Sequence, residues 1–234
     1  MHTHTGGLRV PEQEIMECLF DLAVPSVEQR FKMGEILSRL RGKIGKTQLT
    51  NIVRRKLEKE GYVDYKPYEG VKLTPDGFIV ARRIARNHRL AEAMLYEIFD
   101  VPFNVLHEQA CLIEHGISDT LADYIYKKLK DKKTPFGMPI PHGEVKDLGC
   151  NDPCLLDIPD GTIVTITRVS SHFDNTARTL ENVGINHVGI ELLVKEKDDD
   201  GVFVELNERR HKIPTHISKI LCVRPKKTFN LVEH

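Results

Sequence analysis

Apolar side chains recur with a helical period through the first half of the chain and with a period near two through much of the second. Ile15, Leu19 and Leu22 stand at i, i+4 and i+7, with Met16 and Phe20 widening the stripe, which predicts a helix over Pro11–Ala23. Pro25 and Ser26 interrupt the pattern, and Ser26 is a capping residue for a second helix reaching Leu40, with Phe31, Ile36, Leu37 and Leu40 inward. Arg41-Gly42-Lys43-Ile44-Gly45-Lys46 reads as a tight basic turn. A third helix follows over Thr47–Glu60, with Leu49, Ile52, Val53 and Leu57 on its apolar face and Gly61 as its stop. The period then shortens: Tyr62–Tyr65 and Val71–Leu73 flank Pro67-Tyr68-Glu69-Gly70, a hairpin tip. Helix, helix, basic turn, helix and hairpin is the order of a winged helix-turn-helix, whose third helix faces the DNA major groove.

Beyond Pro75-Asp76-Gly77 the pattern predicts a long helix over Phe78–Phe99, a break at Asp100-Val101-Pro102, and a helix over Asn104–Gly116. Ser118 caps a further helix to Lys130, with Leu121, Ile125 and Leu129 as its stripe. Asp131–Pro153, rich in proline and glycine, reads as an extended linker. Short strands are then expected at Ile163–Val169, Gly189–Val194, Val202–Leu206 and Ile220–Val223, with a turn at Asp198-Asp199-Asp200-Gly201, a pattern that suggests a small barrel. The expected fold is multidomain and mainly α with β. A winged helix-turn-helix occupies 1–77, a helical domain 78–141, a linker 142–157 and a small β-domain 158–234.

Charge changes this picture where composition does not. The chain is 40% hydrophobic and 29% charged with zero net charge, ordinary values for a globular protein. Val24–Leu90, however, holds 16 Lys and Arg against 7 Asp and Glu, a net of +9, whereas Ala91–Cys154 holds 6 against 11. A basic first third suggests a polyanion partner and an acidic middle suggests cations. Double-stranded DNA fits the former, and Lys46, Thr47, Gln48, Thr50, Asn51, Arg54 and Arg55 on the third helix are the candidate contacts. Lys66 and Tyr68 on the hairpin tip would reach the adjacent backbone. No stretch is apolar over the roughly 18 residues a membrane span needs. The opening Met1–Gly7, with His2 and His4, lacks the regions of a signal peptide. Five cysteines in that context predict reduced thiols and a cytoplasmic protein. Cys150 and Cys154 have the spacing of half a zinc site, without a second pair downstream.

The stretch from His88 to His115 carries the chemistry. His88 and Glu92 are spaced i, i+4, and His107, Cys111, Glu114 and His115 stand at i, i+4, i+7 and i+8. On an ideal helix those four fall within an arc of about 100° and span about 12 Å, which implies two neighbouring sites. One His on an amphipathic helix is usually structural; six ligand-type residues on two successive helices favour metal. Imidazole, carboxylate and thiolate together suit Fe²⁺, Mn²⁺, Co²⁺, Ni²⁺ or Zn²⁺.

The segment NHRLAEAMLYEIFDVPFNVLHEQACLIEHGISDTLADYIYKKL, with PFGMPIP downstream, resembles the dimerisation and metal-binding domain of the diphtheria toxin repressor family, which includes iron-dependent and manganese-dependent repressors. The resemblance spans Gln13 to the C-terminus and is strongest over His88–Pro141. It implies a homodimeric winged-helix repressor, not an enzyme, that binds operator DNA when loaded with divalent metal and controls metal homeostasis genes, with an SH3-like C-terminal domain. By position, His88, Glu92 and His107 correspond to the family's ancillary site, and Cys111, Glu114 and His115 to its primary site. Glu14 stands where the N-terminal helix supplies a further primary ligand, and Glu17 where manganese-type members carry a second acid. Cys111 is iron-like while Glu14 and Glu17 are manganese-like, with a slight tilt toward Fe²⁺. Asp174 or Glu181 would be the SH3-like domain's contribution to the ancillary site. The apolar spacing from Leu49 to Leu57 runs one residue longer than the family pattern. A metalloenzyme with a helical His/Glu/Cys site and a metal-independent DNA-binding dimer are the rival readings.

Overall fold

The computed structural model describes residues 7–24, 28–40, 44–143, 150–170 and 174–228, with the side chains of 174, 175, 227 and 228 outside that description. His2, His4, Ser26, residues 41–43 of the basic turn and residues 144–149 therefore lie outside the described residues. The chain forms two compact units. The first is 1–90, 113–128 and 140–149; the second is 91–112, 129–139 and 150–234.

In the first unit, helix α1 (Val10–Ala23) buries Ile15, Met16, Leu19 and Phe20 completely. The second helix is shorter than its apolar pattern suggests, because α2 spans only Met33–Arg39. Phe31 ahead of it instead exchanges both backbone hydrogen bonds with Val71, at 2.8 and 2.9 Å, so the chain there is extended onto the hairpin. Strands β1 (Val63–Lys66) and β2 (Gly70–Leu73) pair antiparallel, Val63 opposite Leu73. Between them and α2 runs α3 (Lys46–Ile52), continued by a π-helical turn over Val53–Leu57. There the Glu58 N–H donates to the Val53 carbonyl and the Tyr62 N–H to the Leu57 carbonyl, each at 2.9 Å. This wider turn accommodates the extra residue in the Leu49–Leu57 spacing: Leu49, Val53 and Leu57 are all buried, at 1% exposure or less.

The long helix α4 (Pro75–Phe99) starts earlier than expected because Thr74 caps it, its hydroxyl accepting the Gly77 N–H at 3.0 Å. Gly77 is required, since any Cβ would collide with the Tyr62 carbonyl. Helix α5 (Phe103–Ile113) tightens into a 3₁₀ turn at Glu114–Gly116. Helix α6 (Asp119–Lys128) is capped by Ser118, which accepts the Leu121 N–H at 3.2 Å.

The second unit is built on five antiparallel strands: β3 (Thr162–Val169), β4 (Glu191–Asp198), β5 (Gly201–Leu206), β6 (Arg209–Pro214) and β7 (Leu221–Thr228). Their order, β6-β5-β4-β3-β7, places the last strand beside the first, as in an SH3-like barrel. Asp198 makes the β4–β5 turn by accepting the N–H groups of Asp200 and Gly201, each at 2.9 Å. Strand β6 and helix α7 (Asp174–Asn182) are not apparent in the sequence, for both are dominated by polar residues. As an edge strand, β6 keeps Arg209 and Arg210 exposed, which discourages pairing with another chain. A short helix α8 (Thr215–Ser218) leads into β7.

The expected linker is partly core. Phe136 is fully buried, packs tilted against Phe103 with ring centroids 4.4 Å apart, and accepts the Val169 N–H at 2.8 Å through its carbonyl. Gly137, at φ +79°, has the Thr167 carbonyl where a side chain would sit. No helix among the described residues is long and apolar enough to cross a membrane.

Candidate metal centre

Three stretches of the first unit supply the ligand-type side chains: α1 with Glu14 and Glu17, α4 with His88, and the 3₁₀ turn with Glu114 and His115. Their frame is fixed by polar contacts around them. Arg89, only 3% exposed, donates to Asp21 at 2.6 Å and lies 5.5 Å over the Phe20 ring, tying α4 to α1. Asn87 donates to the Ile117 carbonyl at 2.8 Å, tying α4 to the residue after the 3₁₀ turn.

Within this frame the ligand atoms converge. One oxygen from each of Glu14 and Glu114 and a nitrogen of His115 lie within 4.8 Å of one another, and so do atoms of Glu17, His88 and Glu114. Glu114 belongs to both groups. The buried Nδ1 of His88 contacts Glu114 Oε2 and lies 3.7 Å from Glu17 Oε1.

His115 is oriented by Gln13, which the sequence did not single out. Gln13 Nε2 donates to the Leu8 carbonyl at 2.8 Å, so its Oε1 faces His115 Nδ1, at 2.9 Å, as an acceptor. The proton of His115 is thereby placed on Nδ1 and the Nε2 lone pair is left for a ligand. Nε2 is buried, has no hydrogen-bond partner among the described residues, and stands 3.5 Å from Glu114 Oε1, which is in the same condition. Two buried acceptor atoms facing one another repel unless a proton or a metal cation lies between them. A histidine whose far nitrogen is held by an amide oxygen is the usual support of a metal ligand. Carboxylate and imidazole donors fit a first-row divalent ion.

In the second unit Glu92, His107 and Cys111 are neighbours. His107 Nδ1 lies 3.3 Å from Glu92 Oε1, and His107 Nε2 lies 3.7 Å from Cys111 Sγ. Within the second unit Glu92 and His107 of the expected ancillary set meet, and within the first unit Glu14, Glu114 and His115 of the expected primary set meet. Glu181 lies on α7, and Asp174, which opens that helix, has its side chain outside the described residues. Cys154 faces Cys222 across an isolated β-bridge and donates to Asp157 at 2.8 Å.

On α3 and the π turn, Lys46, Thr47, Gln48, Asn51, Arg54 and Arg55 are exposed, while Thr50 bends back to the Lys46 carbonyl at 3.0 Å. At the hairpin tip Tyr68 is 97% exposed and Lys66 pairs with Glu69 at 3.6 Å.

Comparison with known proteins identifies the family. The iron dependent repressor, metal binding and dimerisation domain family matches residues 74–142. The diphtheria toxin repressor of Corynebacterium diphtheriae is 32% identical over 134 residues, 57% of this chain and 55% of that one, so the chain spans about half of that relative's length. An uncharacterised HTH-type transcriptional regulator of Methanocaldococcus jannaschii is 34% identical over 87 residues, 36% of this chain and 69% of that one. Among solved structures, T. acidophilum IdeR superposes with a TM-score of 0.74 over 92% of this chain and 97% of its own, at 21% identity. The manganese regulator SloR gives 0.73 over 92% and 98%, at 20% identity, which speaks to the fold alone. The chain belongs to the diphtheria toxin repressor family of metal-dependent transcriptional regulators.

Proposed function

We propose that this protein is a metal-dependent transcriptional repressor that binds operator DNA as a homodimer when divalent metal occupies the centre on α1, α4 and the 3₁₀ turn. One observation carries the reading: two ligand groups share Glu114, and α1, which supplies Glu14 and Glu17 to them, also packs its apolar face into the core beneath α3 and the hairpin. Metal would neutralise the crowded carboxylates and hold α1 against the 3₁₀ turn. The winged helix would then keep one orientation, selected from those the metal-free protein samples. The residues assigned to the centre are Glu14, Glu17, His88, Glu114 and His115, with Gln13 as the positioning residue. Glu92 and His107 are assigned to a supporting site by family position, and Cys111 is added to it by its contact with His107 rather than by the primary-site position that the resemblance implied. Because both groups in the first unit are made of carboxylate and imidazole, Mn²⁺ suits them at least as well as Fe²⁺, so the slight tilt toward iron is not kept.

The DNA face is the exposed side of α3 and the π turn, with Lys66 and Tyr68 toward the phosphates. Dimerisation is assigned to 74–142, the span matched by the dimerisation-domain family. Among the described residues, seven of the nine exposed large apolar side chains fall inside it, including Ile98, Phe99, Leu112 and Tyr124. The regulated genes would be those of metal homeostasis, and the role is regulatory rather than catalytic, as in the repressors it resembles.

Fluorescence anisotropy of labelled promoter fragments, with anaerobic protein in chelator, Fe²⁺, Mn²⁺ or Zn²⁺, tests this. Binding only with metal is expected, and the ion effective at the lowest free concentration identifies the physiological one. Equal binding in chelator would replace the reading with a metal-independent DNA-binding dimer.

A further inference from the structure

Not all of the basic charge in the first third lies on the DNA face. Arg82, Arg83 and Arg86, on the first half of α4, line a cleft of about 400 Å³ together with Asp119 and Asp123 of α6 and His142 beyond it. All six belong to the first unit. Each guanidinium has a partner: Arg83 pairs with Asp119, Arg86 with Asp123 at 2.6 Å, and Arg82 donates to the Gly143 carbonyl.

These pairs are exchangeable. The side chains of Asp119 and Asp123 are 48% and 53% exposed, whereas those of Arg83 and Arg86 are 31% and 16% exposed. Ion pairs whose acid is this open to water are weak, so the acids can turn to solvent while the arginines remain in the wall. Arg86 Nε is buried without a hydrogen-bond partner among the described residues, a donor that a folded protein rarely leaves unanswered. His142 stacks on Tyr126, ring centroids 4.0 Å apart and planes 14° from parallel, and its Nδ1 lies 3.3 Å from Arg86. A guanidinium can only donate, so Nδ1 accepts and the ring proton sits on Nε2, which makes His142 a further donor. Three cations against two exposed acids leave the lining positive. The volume lies in the range of small-molecule sites, about 300–1,000 Å³, and exceeds what one inorganic ion fills.

We propose that this cleft binds a small organic polyanion, a di- or tricarboxylate or a phosphate ester, through Arg82, Arg86 and His142, with Arg83 as a flanking cation. Guanidinium groups one helical turn apart suit ligands bearing two or more anionic oxygens. None of the residues lining the cleft is assigned to the metal centre, and its test needs no metal.

Citrate and fructose 1,6-bisphosphate are titrated separately into metal-free protein by calorimetry. Saturable binding of at least one is expected, and the tighter of the two identifies carboxylate or phosphate ester as the source. Arg82→Gln and Arg86→Gln should each weaken it about tenfold, as loss of a charge-assisted contact requires, while Arg54→Gln leaves it unchanged. If Arg86→Gln fails to fold, Arg82→Gln decides, since it removes a side chain from the cleft's rim. No saturation by about 10 mM of either probe overturns the proposal. So does binding that survives both cleft variants, or that is lost in Arg54→Gln, which would move the anion to the DNA face.

Discussion

Among the described residues, two helices leave α geometry, and they do so in opposite senses. At Val53–Leu57 the helix widens into a π turn; at Glu114–Gly116 it tightens into a 3₁₀ turn. The wide turn preserves the core: Leu49, Val53 and Leu57 stay buried although their spacing runs one residue longer than the family pattern, and Arg54 and Arg55 within it are exposed. The tight turn changes which residues meet. Ideal helix geometry would stack Glu114 and His115 over Cys111, whereas the overwound turn brings Glu114 to His88 and His115 to Gln13. One irregularity therefore shapes the proposed DNA face while keeping its own apolar residues in the core, and the other assembles a buried polar centre.

The largest expected effect strikes the tight turn. Glu114→Ala removes the carboxylate common to both ligand groups, and metal-dependent DNA binding should fall by about 100-fold or more, measured by anisotropy at fixed free metal. Glu17→Ala, which touches one group, should cost less. Next comes the support of His115: Gln13→Leu should lower metal affinity about tenfold to 100-fold, read by competition with a fluorescent chelator, with far-ultraviolet circular dichroism unchanged. An undiminished affinity would mean that the amide does not orient the imidazole.

The wide turn is tested by deletion. Removing Lys56 restores an ordinary i, i+4, i+7 apolar spacing, so the protein should fold with a similar Tm. The end of the helix would rotate by roughly 100°, and DNA affinity should fall about tenfold. Retained affinity would reduce the π turn to a packing detail.

The smallest effect lies away from both turns. Burial raises the Cys222 thiol from 9.0 to about 11. Because the folded state holds this proton more tightly, the associated stability is fully present below pH 9 and is lost as pH rises toward 11. Cys222→Ala should remove up to about 2 kcal/mol of that decline in urea unfolding compared at pH 8 and pH 11. An identical decline in both proteins would place the titration elsewhere.

Much of this was legible in the sequence for physical reasons. Apolar periodicity exposed α1, α4 and the hairpin, and Thr, Ser and Gly marked helix ends. Ligand-type residues at helical spacing identified the metal-binding stretch. What could not be read depended on distant partners. Phe31 leaves the second helix because Val71 offers it backbone hydrogen bonds, and Phe136 leaves the linker because Phe103 and Val169 receive it. Strand β6 carries almost no apolar signal because it is an edge. Gln13 looks like any helical glutamine until His115, 102 residues away, is brought to it.

The account rests on metal fastening α1 to the Glu114–His115 turn. Hydrogen exchange of α1 followed by mass spectrometry, with and without saturating Mn²⁺, measures this directly. Mn²⁺ should slow exchange across Val10–Ala23 in the native protein and leave it unchanged in Glu114→Ala. Metal-activated DNA binding with no change in α1 exchange would contradict the account.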